Sequence, residues 1–209
     1  MAKYSADKKR LVYESEREFY DIQAARGAAD KKFNMKSKPH IAVDVKRFMK
    51  HINKQSRILD AGCRDAWAMG YLTARGFENV RGFDVVEKNV EICQKHGYNV
   101  VVANAEDLCV YDTGAFDMVF ARHMLEHVVN PRLAIAEFAR VLKKGGIFYC
   151  VIPLQIPGTT PQVKYGHSFV FTKVNKLICM SRKFFTEISH IAREHSKSGL
   201  AATYVGQRK

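Results

Sequence analysis

The chain has no stretch of about 18 uncharged apolar residues, the length a helix needs to cross a bilayer. Its longest uncharged run, residues 145–163, is broken by Pro153, Pro157, Gly158 and Pro161 and reads as a strand followed by a loop. No membrane partner is expected. The amino-terminal MAKYSADKKR carries basic residues with no apolar segment behind them, so it does not read as a secretory signal, and a cytoplasmic location is expected. Cysteines are few, five in number, and none forms a C-x-x-C pair. Such scattered thiols are expected to be reduced and mostly buried, neither a disulfide frame nor a zinc knuckle. Sustained repeats and low-complexity segments are missing as well, and 209 residues suffice for one good core.

What the chain has in excess is positive charge, and it lies at the two ends. Residues 1–57 carry a net +8 and residues 154–209 a net +7, while residues 58–153 carry −2. An excess of this kind raises the local concentration of anionic partners. It equally serves solubility, so charge alone leaves both readings open.

Residues 5–26 place Leu11, Val12, Tyr13, Phe19, Tyr20 and Ile22 among charges, an irregular amphipathic helix. Gly27 and a polar segment follow, and Pro39 suits the start of a second helix reaching Asn53. Beyond it the texture alternates. RILDAG, VRGFDV, NVVVA, FDMVFA and GIFYCVIP read as strands; Trp67–Arg75, Glu87–His96 and Pro131–Leu142 read as helices between them. Strands that alternate with helices and are apolar on both faces predict a parallel sheet covered on both sides. Lys173–Met180 reads as a last helix, and FFTEISHIA with GLAATYVGQ as a closing antiparallel hairpin. Residues 1–55 are thus expected to form a helical extension or lid, and residues 56–209 the ligand-binding domain.

The turn after the first strand is short of glycine. In ILDAGCRDAWAMGYL, Gly62 is followed by Arg64 and Ala66 where a nucleotide-binding turn usually has further glycines. In an open parallel sheet, ligands bind beyond the carboxyl ends of the strands. Asp84 ends the second strand 24 residues after Asp60, where an acidic side chain can accept hydrogen bonds from the hydroxyls of a ribose. A dinucleotide is disfavoured on steric grounds, because its pyrophosphate needs a residue without Cβ where Arg64 stands. A ribose ligand lacking a phosphate bridge, such as S-adenosylmethionine, tolerates that side chain.

The run ILDAGCRD…GFDVVEKNV…VVANAEDL…FDMVFARHMLEHVVNPRLAIAEFARVLKKGGIFYCVIP resembles the class I S-adenosylmethionine-dependent methyltransferases, type 11-like, over about residues 57–153. The resemblance implies a Rossmann-like, doubly wound α/β fold: a mostly parallel seven-stranded sheet with a carboxy-terminal antiparallel hairpin. It implies S-adenosylmethionine as cofactor and S-adenosylhomocysteine as product. By position, Asp60 and Gly62 would lie along the methionine part, with Cys63 and Arg64 as further cofactor-binding residues of the same turn. Asp84 would hold the ribose, and Asn104 and Ala105 would meet adenine, Asn104 standing where the family usually has Asp; Val85 and Glu106 would be further cofactor-binding residues beside them. Ala121 and Arg122 would line the methyl-transfer side.

Transfer of a methyl group from a sulfonium needs little covalent help, since the leaving group departs neutral; the protein must align the acceptor and keep water out. For a hydroxyl or protonated amine acceptor a base also helps. His123, next to the end of the fourth strand, and His167, after the fifth, are the candidate bases, with Tyr165 beside the latter. His123 and His127 at i, i+4 could share the face of a short helix, but without a convincing third ligand no metal is expected. His127 is read as packing, Trp67 as packing rather than an adenine platform, and Glu126 and Glu137 as ion-pair partners of arginines such as Arg140. The expected activity is methyl transfer to O or N of a small or medium, anionic acceptor. The rivals are an RNA methyltransferase and a non-catalytic S-adenosylmethionine-binding protein; oligomeric state is not legible.

Overall fold

The computed structural model describes residues 39–155, 167–196 and 199–209. The expected helix over 5–26, with Tyr13, Phe19 and Tyr20, lies outside them, as does Tyr165. The chain opens with α1 (Pro39–Phe48) and a short 3-10 turn (Met49–His51), so the helix read as reaching Asn53 ends five residues earlier. Then come β1 (Ile58–Ala61), α2 (Trp67–Thr73), β2 (Val80–Asp84), α3 (Glu87–Lys95), β3 (Val100–Val102), β4 (Phe116–Arg122), α4 (Pro131–Val141) and β5 (Leu142–Leu154). The last elements are α5 (Val174–Ser181), β6 (Phe185–Ser196) and β7 (Gly199–Arg208).

All seven strands join one sheet in the order β3-β2-β1-β4-β5-β7-β6. The first five run parallel: β1 pairs with β2 and β4, β2 with β3, and β4 with β5. β7 is antiparallel to both neighbours, β5 and β6, so the predicted hairpin closes the sheet. The sheet is the doubly wound, mostly parallel one expected from the sequence.

Side chains alternate across a strand, and the two faces carry separate cores. Leu59, Ala61, Val119 and Ala121 face α4 and α5, where Ile135, Phe138 and Leu177 bury against them. Ile58, Met118 and Phe120 face the other way, under α1, α2 and α3. There α1 contributes Val45 and Phe48, and the Phe48 ring sits 4.8 Å from Phe120 and 5.5 Å from Tyr149. A buried ion pair ties the same helix down: the Arg122 Nε, at the end of β4, donates to Asp44 Oδ2 at 2.9 Å, and Asp44 is fully buried.

Local chemistry sets the helix that precedes the fifth strand. Asn130 caps α4, its side chain accepting from the Arg132 N–H at 3.2 Å, and Pro131 occupies the first turn, where a missing N–H costs nothing. All five cysteines are free; Cys63, Cys93 and Cys150 are buried, and Cys109 and Cys179 exposed. Among the described residues no helix is long and apolar enough to cross a membrane.

Candidate active site at the carboxyl ends of the strands

Residues at the carboxyl ends of β1, β2, β3 and β4 meet along one edge of the parallel sheet, where the sequence places its candidates. The turn after β1 is built on left-handed backbone: Gly62 at φ +69°, then Arg64 and Ala66 each at φ +50°. Glycine is needed at the first of these, since a Cβ there would meet Met124 Cβ at 3.0 Å. At the other two positions ordinary residues hold a conformation they disfavour, a form of strain that concentrates at ligand sites. His123, just past β4, is likewise at φ +50°.

Hydrogen bonds hold the strained turn to the second strand. The Cys63 N–H donates to Phe83 O at 3.0 Å, and the Arg64 N–H to Asp84 Oδ2 at 2.8 Å. The other Asp84 oxygen, Oδ1, accepts from the Val86 N–H at 2.9 Å and the Asn89 amide at 3.2 Å. A carboxylate has about four lone-pair positions. Three are filled by the protein, and the one remaining, on Oδ2, suits a single hydroxyl; Asn89 must yield before Asp84 can grip two.

Asp60 and Cys63 are buried beside this turn, and Arg64 is exposed. Burial first, then the charges of Asp65 and Asp84, push the Asp60 carboxyl up to about 8. A hydrogen bond to Cys93 first, and burial after it, hold the Cys63 thiol well above its usual range, so it is no thiolate nucleophile. Three carboxyls around one turn, with two of them withdrawn from water, form a place that favours a cation.

The remaining predicted positions divide. Val85 is half-buried, and Ala105 and Ala121 are buried beside the strand ends. Asn104 and Glu106 are committed locally: Asn104 Oδ1 accepts from the Glu106 N–H at 3.0 Å, and Glu106 Oε1 from the Asn130 N–H at 3.0 Å, which fastens the loop after β3 to the start of α4. The Arg122 guanidinium is turned to Asp44.

ARHMLEHV is not a short helix. Residues 123–129 form bends and a turn, and they gather His123, Glu126 and His127 around one carboxylate. His123 Nδ1 lies 3.3 Å and His127 Nε2 3.8 Å from Glu126 Oε1. The chain leading into α5 closes over them, with the Phe169 N–H donating to Glu126 O at 2.9 Å. That brings His167 edge-on to His127, ring centroids 4.8 Å apart. Glu126 therefore has histidine rather than arginine neighbours, a correction to the sequence reading; Glu137 does pair with Arg140, through two contacts of 2.8 Å. Burial opposes ionisation of Glu126, but the His123 hydrogen bond and the two imidazoles outweigh it and hold the carboxyl below its usual range. Burial lowers the His167 imidazole against the opposing pull of Glu126. Trp67 is packed, its ring stacked on Tyr71 at 5.2 Å.

Sequence reasoning missed Glu126 as the centre of this group. The signal available was a carboxylate three residues after one histidine and directly before another, read there through helix spacing that the backbone does not follow.

Comparison with known proteins places this geometry. The family described as Methyltransferase domain matches residues 59–150. The ubiquinone biosynthesis O-methyltransferase of Xanthomonas oryzae pv. oryzae (strain PXO99A) is 34% identical over 97 residues, which is 44% of this chain and 40% of that protein. The enzyme of that description from Dechloromonas aromatica (strain RCB) is 36% identical over 96 residues, 43% of this chain and 41% of that protein. The chain thus spans about two fifths of the length of these relatives. Among solved structures, a chain from the complex between the Haloferax volcanii Trm112 methyltransferase activator and a methyltransferase superposes with a TM-score of 0.75 at 16% identity, covering 92% of this chain and 96% of that one. Geranyl diphosphate C-methyltransferase from Streptomyces coelicolor A3(2), solved with Mg2+, geranyl diphosphate and S-adenosylhomocysteine, superposes at 0.66 with 13% identity, covering 80% and 78%. At such identities these two share the fold with this chain. Residues 59–150 thus match the methyltransferase domain, and the sheet that carries them has the fold of the class I S-adenosylmethionine-dependent methyltransferases.

Proposed function

We propose that the protein transfers a methyl group from S-adenosylmethionine to an oxygen of a small or medium, anionic acceptor. The observation that carries this reading is a juxtaposition. A cation-favouring turn of Asp60, Asp65 and Asp84 lies at the ends of β1 and β2, and a histidine–glutamate group lies at the end of the adjacent β4. The donor set suits the cofactor. Asp84 keeps one acceptor position for a ribose hydroxyl, the carboxyls favour the positive methionine end, and no pyrophosphate has to pass Arg64. When bound, S-adenosylmethionine supplies the methyl group from its sulfonium.

The chain's own residues do the rest. Asp60, Gly62 and Arg64 orient the methionine end, and the buried Ala105 and Ala121 keep water from the strand ends. His123 and His167 are the groups that take the proton of the acceptor hydroxyl as the new bond forms. Oxygen is preferred over nitrogen because the relatives matched over this segment are O-methyltransferases by name. An anionic acceptor is preferred because the positive charge lies in the segments flanking the cofactor-binding core. Residues 1–55 are proposed to cover the acceptor side.

The test is tritium transfer from methyl-labelled S-adenosylmethionine into a cell extract separated into small metabolites and RNA. Label in an anionic small-molecule fraction is expected. Label in RNA alone selects the RNA methyltransferase reading, and cofactor binding without any transfer selects the non-catalytic one.

A further inference from the structure

Outside the turns that meet the cofactor, the described residues hold one other group of chemically capable side chains that the reaction does not fully use. Glu126, His127 and His167 offer three ligand atoms, all within 4.8 Å of one another. Glu126 is 1% exposed, and its Oε2 makes no hydrogen bond. A buried carboxylate oxygen without a donor is costly, so such an atom calls for an explanation. Its fellow Oε1 is already engaged, with His123 Nδ1 at 3.3 Å. Oε2 is thus the free oxygen of a carboxylate whose orientation is otherwise set.

We propose that Glu126, His127 and His167 form a site for a divalent transition-metal ion of the zinc class, open on its acceptor side. Two imidazoles and one carboxylate are a donor set that holds such an ion by three protein ligands and leaves a position for a small oxygen ligand. The ligands come from two parts of the chain, the bends after β4 and the segment before α5, and the Phe169 N–H to Glu126 O bond already fastens one to the other. Bonds of about 2.0–2.2 Å require donor atoms closer together than 4.8 Å, which small side-chain rotations supply at His127 and His167, since both are only part-buried. The open position would take the oxygen of the acceptor. This rests on the methyltransferase reading for the ion's purpose, not for its binding. His167 then serves as a ligand, and His123 alone keeps the proton-accepting role.

The experiment is titration of Co2+ into protein first stripped with a chelator, read by visible absorption and by calorimetry, with S-adenosylhomocysteine titrated into the same preparation. One equivalent of Co2+ is expected, with visible bands of low coordination number, competed away by Zn2+. His167→Ala and Glu126→Gln are each expected to weaken Co2+ at least 10-fold, while His190→Ala, in an exposed pair with Glu187, leaves it unchanged. Should Glu126→Gln fail to fold, His167→Ala decides alone. Protein that binds S-adenosylhomocysteine but no Co2+, or whose His167→Ala variant binds Co2+ as tightly as wild type, overturns the site and leaves the methyltransferase reading standing. Co2+ binding without S-adenosylhomocysteine binding does the reverse.

Discussion

Asp60 is a carboxyl held out of water beside Asp65 and Asp84, and burial first, those charges second, push it up to about 8. At neutral pH it is therefore protonated in the free protein. In the unfolded chain it ionises in the ordinary carboxylate range, so between that range and pH 8 the folded state binds the extra proton. Its contribution to stability is full below the ordinary range and is lost as pH rises to about 8. A cation placed beside it favours the ionised form, and binding should expel the proton. Titrating S-adenosylmethionine at pH 7 in two buffers of different ionisation enthalpy should then give different heats. Asp60→Asn should give equal heats and a higher melting temperature than wild type at pH 8; equal heats for wild type would contradict the assignment. His123, Arg64 and Ala66, all at φ +50°, belong to this scale too, as residues held by their surroundings in backbone they disfavour.

At the scale of elements, the approach of α2 to the sheet depends on Gly82 in β2. A Cβ at that position would lie 2.8 Å from Met69 Sδ, 3.0 Å from Cys63 Sγ and 3.1 Å from Cys63 Cβ. Gly82→Ala is expected to cost about 1–3 kcal/mol in urea denaturation, because both the helix and the turn after β1 must shift; an unchanged midpoint would show that the packing gives freely. The elements themselves were legible. Buried parallel strands advertise themselves by continuous apolar runs, and the strand ends followed from Gly62 and Asp84. What the sequence hid depends on pairs far apart in the chain or on backbone that breaks its local period. Arg122 meets Asp44 across 78 residues. ARHMLEHV has helix spacing but opens on the left-handed His123, so Glu126 turns to histidines instead of an arginine. His167 joins them only through the fold.

Over the whole molecule, charge is divided as the chain is: residues 58–153, which hold the candidate site, carry −2, and the segments on either side +8 and +7. If the flanks attract the acceptor while the core binds the cofactor, salt should separate the two events. Methyl transfer to the acceptor fraction is expected to fall as ionic strength rises from roughly 0.05 to 0.5 M, where the screening length drops below about 5 Å. Affinity for S-adenosylhomocysteine should change much less over the same range. A loss that steepens to several powers of the salt concentration would favour a polyanion such as RNA; no salt dependence would leave the flanks to solubility.

The most direct measurement is calorimetric titration of S-adenosylhomocysteine into wild type and Asp84→Asn, a change that keeps one oxygen, for the Val86 N–H, while it removes the charge and the acceptor of the Arg64 N–H. The account predicts one-to-one binding by wild type and at least 10-fold weaker binding by the variant, with both proteins unfolding in a single cooperative transition. Absence of binding by wild type, or equal affinity in the two proteins, would contradict it.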